Sequence, residues 1–371
     1  MSEQSLNTEN QAAHAAQGAR PTGVDTIVHD TATPTLLVKD AASESPKRRT
    51  GGVMPGWVNT IMARYALIVV WAIMAGYYWL RMPSLFGTHA AFSSIFGSQQ
   101  TLVFLAMGVL ATSVAGEIDL SVASVMGITA TAIPVLATQH NVPLPLACVI
   151  GVGIAVLAGL VNAFFVVIMN VSSFVVTLGM GTFLIGVAQA ISHTQVVSVQ
   201  SNALAQLSIH PVFGMPVSFY YGIALALLIA YVMAWTPFGR AVVFVGANRE
   251  VARLAGIRVN RIRFASYLVG SLLAGLAGLI LVATVGGFDS SQSMSFLLPA
   301  LAAVFLGTAV IQPGAFNALG TMIAIYFLET GIFGLQLLGY SGWIQNVFYG
   351  AGLVVAVAVA KVIRDRSTKA A

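Results

Sequence analysis

Three acids stand alone in apolar surroundings: Glu117, Asp119 and Glu329. Glu117 and Asp119 fall in Gly116-Glu-Ile-Asp-Leu-Ser121, and Glu329 falls in Ile325-Tyr-Phe-Leu-Glu-Thr330. An ionised carboxylate away from water is costly, so each must be paired, protonated, hydrogen-bonded or facing an aqueous path. Asp119 or Ser121 is placed to cap a helix that starts just after it. A broken helix that shapes a path is the other reading of the same residues. Glu329 reads either as an interhelical hydrogen-bonding group or as a group facing such a path. Phe174, Thr177 and Met180 recur at i, i+3 and i+6, so they share one helix face, which suits a path or ordinary packing. Enzyme chemistry finds less support. The six histidines, His14, His29, His89, His140, His193 and His210, show no His-Glu-x-x-His spacing. None of the four lysines follows a glycine, so no phosphate-binding loop of the Gly-Lys-Ser/Thr kind is present. Cys148 is single and cannot form an internal disulfide.

The elements that must hold these residues follow from composition. Of 371 residues, 57% are hydrophobic and 8% charged, too few charges to clothe a soluble protein of this length. A soluble enzyme and a nucleic-acid binder are excluded, and the fold class is all-α, a polytopic membrane protein. Ten apolar stretches emerge, near 62–80, 101–115, 119–138, 144–167, 172–192, 216–235, 264–285, 295–311, 315–337 and 343–361. The basic residues orient them. Residues 1–60 read as a disordered cytoplasmic tail, 61–361 as the membrane domain and 362–371 as a second cytoplasmic tail. With both termini inside, every Lys and Arg except Arg81 lies on the cytoplasmic side. Spans 2–5 and 7–10 then form two sets of opposite direction, the arithmetic of an inverted repeat. Leu157-Ala-Gly-Leu160 and Leu273-Ala-Gly-Leu276 echo each other but do not fall on equivalent helices.

The densest charge cluster lies in the cytoplasmic segment 236–263, with Arg240, Arg249, Glu250, Arg253, Arg258, Arg261 and Arg263. Asn248 is a good N-cap and Gly256 a good C-terminal stop, so a helix of about two turns is expected from Arg249 to Ala255. Val251, Leu254 and Ala255 make one small apolar face, with Arg249, Glu250 and Arg253 on the others. So short a helix needs something to pack on. It lies at the lipid headgroups, or it inserts into a groove on a cytoplasmic partner.

At this segment the sequence resembles a family. Gly239-Arg240, Gly246-Ala-Asn248-Arg249-Glu250, Ala252-Arg253 and Leu254-Ala-Gly256-Ile257 look like the coupling loop of ribose-type ABC sugar permeases. Gly116-Glu-Ile-Asp119-Leu-Ser121-Val-Ala-Ser124 is similar to that family's Gly-Gly-Ile-Asp-Leu-Ser-Val-Gly-Ser, with Glu117 and Ala123 replacing two glycines. Phe174-Val-Val-Thr177-Leu-Gly-Met180, Pro313-Gly-Ala-Phe-Asn317 and Gln336-Leu-Leu-Gly339 follow in order. The resemblance covers about residues 60–361.

The resemblance implies a permease subunit in a bacterial inner membrane. A second permease copy would complete the pathway, cytoplasmic ATP-binding subunits would hold ATP and magnesium, and a periplasmic binding protein would deliver a sugar. This chain would need no cofactor. Gly246, Asn248, Arg249, Glu250, Arg253, Leu254 and Gly256 would couple it to the ATPase. Glu117, Asp119, Ser121, Phe174, Thr177, Met180 and Glu329 are candidates for the translocation path, where Glu329 would meet sugar hydroxyls. The outer loop His193 to Pro216 is a docking surface for the binding protein or a passive connector. A permease for branched-chain amino acids or nucleosides shares this layout. An ion-coupled secondary transporter would need the three isolated acids for coupling.

Overall fold

The computed structural model describes residues 56–370, with side chains over residues 64–358. The expected N-terminal tail lies outside the described residues except for 56–60, which are the start of the first helix. The helices are α1 (Gly56–Arg81), α2 (Pro83–Phe86), α3 (His89–Gly97), α4 (Gln100–Val114), α5 (Val122–Thr138) and α6 (Leu144–Ala163). A π turn, Phe164–Ile168, continues α6 before α7 (Ser173–Ser192), α8 (Asn202–Ile209) and α9 (Val217–Trp235). Then come α10 (Pro237–Ala247), α11 (Arg249–Leu254) and α12 (Val259–Val285). A 3-10 segment, Ser290–Phe296, leads into α13 (Leu297–Gly307), followed by α14 (Ala318–Leu337) and α15 (Trp343–Ala370). Each of the ten apolar stretches overlaps a helix, several of them only in part. Among the described residues, seven helical stretches are long and apolar enough to cross a membrane.

The centre of the domain is α12, which packs on α4, α5 and α6. Small residues let the backbones approach, as helix contacts in lipid require. A Cβ built on Gly278 would stand 2.5 Å from the Met126 carbonyl oxygen, and one on Gly108 2.8 Å from that of Gly270. A Cβ on Gly275 would stand 2.6 Å from the Ala155 methyl, and one on Gly159 would overlap the Ser271 hydroxyl. Gly159 and Gly275, one from each Leu-Ala-Gly-Leu segment, therefore both serve the crossing of α6 and α12, each meeting the other helix just outside the other segment. A second group sets α13 against α14 and α15, with α1 along α14.

Three expectations change. The connection 236–263 is mostly helical, because α10 fills its first half and α12 begins five residues before the expected 264. Thr236 caps α10 by accepting from the Gly239 amide at 3.0 Å, and Pro237 supplies the fixed φ of the first helical position. The connections expected on the outer side also carry structure. Thr88 caps α3 and Ser201 caps α8. Strand β1 (Val197–Ser198) pairs antiparallel with β4 (Gly287–Phe288), and β2 (Pro211–Val212) with β3 (Met215–Pro216). Phe213 and Gly214, both at positive φ, form the turn between β2 and β3, and Phe213 is 96% exposed at its tip. Finally, the helix expected over 295–311 is α-helical only from Leu297 to Gly307.

Candidate functional site

The end of α4 sets the site. The Glu117 amide donates back to the Thr112 carbonyl, and Gly116 takes a positive φ of 76° to allow it. The chain thus leaves the helix and turns inward, which leaves Glu117 only 2% exposed. Its carboxylate gathers side chains from two helices, α11 and α12. Arg263, in the first turns of α12, donates Nε to Oε1 and Nη2 to the Val166 carbonyl of the π turn. Arg249, the first residue of α11, donates Nη2 to the same Oε1 at 2.8 Å and to the Gly116 carbonyl at 2.8 Å. The Tyr267 hydroxyl donates to Oε2 at 3.4 Å. Two guanidinium groups around one carboxylate satisfy the pairing that a buried charge demands.

Arg249 is aimed by its own helix. Asn248 Oδ1 accepts from the amides of Glu250 and Val251 at 3.0 and 3.1 Å, and Gly256 closes α11 at φ +80°. The short helix is held from beneath by Ala252, fully buried against Val245 and Val259. The apolar face expected to seek a partner is left uncovered: Leu254 is 88% exposed, and Val251 is exposed beside it. Arg253 and Glu250 pair on the surface at 3.3 Å. At the end of α10, Gly246 abuts α4 so closely that a Cβ there would overlap the Val114 carbonyl oxygen.

The residues after Glu117 are tied to other helices. Asp119 Oδ1 accepts from the Ser121 amide at 2.9 Å and from the Ser121 hydroxyl at 2.6 Å. Asn162 of α6 donates to the Ser121 hydroxyl oxygen at 2.8 Å. Ser121 makes no side-chain capping bond, so Asp119 performs the local turn. Thr177 of α7 is buried, accepts from the Leu120 amide at 3.1 Å, and donates to the Ser173 carbonyl at 2.8 Å. Phe174 and Met180 do not share its surroundings. Met180 packs partly buried against the core, and Phe174 points outward. Phe174, Leu178, Gly179, Phe183 and Gly186 line a shallow, open apolar groove along the uncovered side of α7. Glu329 lies apart from this cluster, half-buried in α14 with the Tyr349 hydroxyl of α15 beside its carboxyl.

Reading the sequence missed Arg263, Tyr267 and Asn162. Arg263 and Tyr267 lie at i and i+4 on one face of α12, a signal lost by starting that helix too late. A second omission is more informative. Gly286 ends α12 at φ +79°, and Asp289 Oδ1 accepts from the Ser291 amide at 2.9 Å. Gly286-Gly-Phe-Asp289-Ser-Ser291 thus repeats both the string and the turn of Gly116-Glu-Ile-Asp119-Leu-Ser121. In both places Gly-x-apolar-Asp-x-Ser follows a long helix.

Comparison with known proteins agrees with this architecture. A family model described as branched-chain amino acid transport system / permease component matches residues 91–357. The probable ABC transporter permease protein YphD of Escherichia coli (strain K12) is 29% identical over 314 residues, 85% of this chain and 94% of its own. The autoinducer 2 import system permease protein LsrD of Escherichia coli (strain K12) is 32% identical over 266 residues, 68% of this chain and 80% of its own. LsrD of Shigella flexneri matches to the same extent. No solved structure matches the chain. The chain therefore belongs to the branched-chain amino acid transport system permease component family, membrane subunits of ATP-binding-cassette transporters whose ATP hydrolysis resides in a separate partner chain.

Proposed function

We propose that this permease imports a sugar across the bacterial inner membrane, receiving it from a periplasmic binding protein and drawing its energy from a cytoplasmic ATP-binding subunit. The observation that carries the reading is α11. It is a capped helix with an uncovered apolar face, Val251 and Leu254, bolted through Arg249 to the buried Glu117. A docking helix needs both an open face and a rigid root. Gly246, Asn248 and Gly256 shape it, and Glu250 and Arg253 rim it. The Ile118-Asp-Leu-Ser-Val122 run supports a sugar as the substrate class rather than a branched-chain amino acid.

The topology that fits is ten spans with both termini in the cytoplasm, built as an inverted repeat. Two observations support it. The Asp119 and Asp289 turns match, and α5 packs on the next two helices, α6 and α7, as α13 packs on α14 and α15. A second copy of the chain would close the pathway against α7, whose groove holds Phe174 and lies one helix side away from Thr177. Met180, Asp119 and Ser121 would then shape the path from behind, and Glu329 would brace α14 against α15. Anionic lipid would meet the arginines flanking α10 and α11. On the outer side, the Phe213 turn is the natural contact for the binding protein.

Leu254→Asp tests the docking. It should abolish co-purification of the ATP-binding subunit while leaving the permease folded in detergent. Co-purification at the parent level would remove the docking claim. Ligand screening of the cognate binding protein identifies the sugar, and selective capture of an amino acid there would replace the substrate class.

A further inference from the structure

We propose that Glu117 is the positioning residue through which the docking helix moves the α7 wall, by way of a continuous polar relay. This deepens the reading of α11 as the docking element and rests on it. The relay has no gap. Arg249 of α11 donates to Glu117 and to the Gly116 carbonyl, so α11 grips both the side chain and the backbone at this turn. The next residues are gripped in turn. The Leu120 amide donates to Thr177 of α7, and the Ser121 hydroxyl is held by Asp119 and by Asn162 of α6. Thr177 faces inward while Phe174 and Leu178, beside it on the same helix, face the open groove. A displacement of α11 therefore reaches α7 through five residues, Gly116 to Leu120, that belong to no helix.

The relay is anchored on its far side. Arg263 holds Oε1 of Glu117 and Tyr267 holds Oε2, and both belong to α12, the helix on which α4, α5 and α6 all pack. Glu117 thus sits between a moving root and a fixed one. Arg249 is 40% exposed and has room to move with α11, whereas Arg263 is 9% exposed and is held in place by its surroundings. That asymmetry makes Arg249–Glu117 the link through which α11 pulls on the turn and Arg263–Glu117 the hinge about which the turn rotates.

The test uses the full importer, permease with its ATP-binding subunit, in proteoliposomes. Cys148 is replaced by Ser, and Phe183→Cys on the α7 groove reports motion by its rate of maleimide labelling with and without a non-hydrolysable ATP analogue. In this reporter background the nucleotide should change that rate on the order of tenfold, the size of an ordinary coupling energy. Glu117→Gln and Arg249→Gln should each abolish the change in assembled complexes that still bind the analogue, and the double variant should be no worse than either. A nucleotide response that persists in both single variants overturns the proposal, as does a reporter background whose labelling rate ignores nucleotide. Loss that tracks only the amount of assembled complex, with a normal response in what assembles, also overturns it. The Leu254→Asp variant separates the two claims. If it still assembles, the docking reading fails; if it does not, while Glu117→Gln responds normally, only the relay fails.

Discussion

Among the described residues Glu117 is the carboxylate paired with two guanidinium groups, and its two arginines hold it unequally. Removing one partner of a buried pair leaves an uncompensated charge and costs roughly 3–5 kcal/mol. Arg263→Ala should approach that figure, because its side chain is almost fully buried against Glu117. Arg249→Ala should cost about 1 kcal/mol or less, since water screens a half-exposed guanidinium. Thermal unfolding of the purified permease in one detergent should show that order, and equal losses would mean that Arg249 is as buried in the protein as Arg263. Thr177→Val should cost about 1–3 kcal/mol by leaving the Leu120 amide unpaired. Asp119→Ala should lower transport by loosening the same turn. What could be read from sequence here was the oddity of the acids, not their partners. Glu117 meets Arg249 and Arg263 across 132 and 146 residues, and no local periodicity reports so distant a pair. Composition therefore directed Glu117 towards a path, while the fold gave it two arginines.

The helices are assembled through small residues, and the same residue type does two opposite things. Gly275 and Gly159 admit a neighbouring helix, so Gly275→Val must push Ala155 aside and should cost about 1–3 kcal/mol. Gly179 and Gly186 on α7 meet nothing within 4 Å. Gly186→Val should therefore leave folding unchanged and alter only a process that uses the groove. Comparing folded yield and uptake of these two variants separates packing glycines from pathway glycines; a fall in folded yield for Gly186→Val would place that face inside the protomer's own core. At this scale the sequence was largely legible. The Asn248 cap and the Gly256 stop were both readable from residue type. Helix α10 was readable too, from the Thr236-Pro237 start, but the surrounding charge made the segment look like loop. The short strands β1 and β4 were not legible, because two-residue ladders leave no alternation to detect.

For the molecule as a whole, the repeated Asp turn gives direction to the proposed topology. Under an inverted repeat, the turn after α4 and the turn after α12 must face opposite sides of the membrane. The Asp119 turn touches α11 through Glu117, and the Asp289 turn touches the Val197–Ser198 strand of the other connection. Each turn thus joins its repeat to the surface where a different partner would dock, the ATP-binding subunit at one face and the binding protein at the other. The sign of the basic residues independently would place α10 and α11 in the cytoplasm, so both arguments commit to one proposed orientation. Single-cysteine variants in a Cys148→Ser background decide it. Phe213→Cys and Ser291→Cys should react with a membrane-impermeant maleimide in right-side-out vesicles, and Leu254→Cys only in inverted ones. The exposure of Phe213 and Leu254 ensures that failure to label reports sidedness and not burial. If Ser291→Cys and Leu254→Cys label from the same face, α12, the one helix between them, does not cross the membrane. The two Asp turns would then be a local resemblance, and the coupling of opposite surfaces through matched halves would be lost with it.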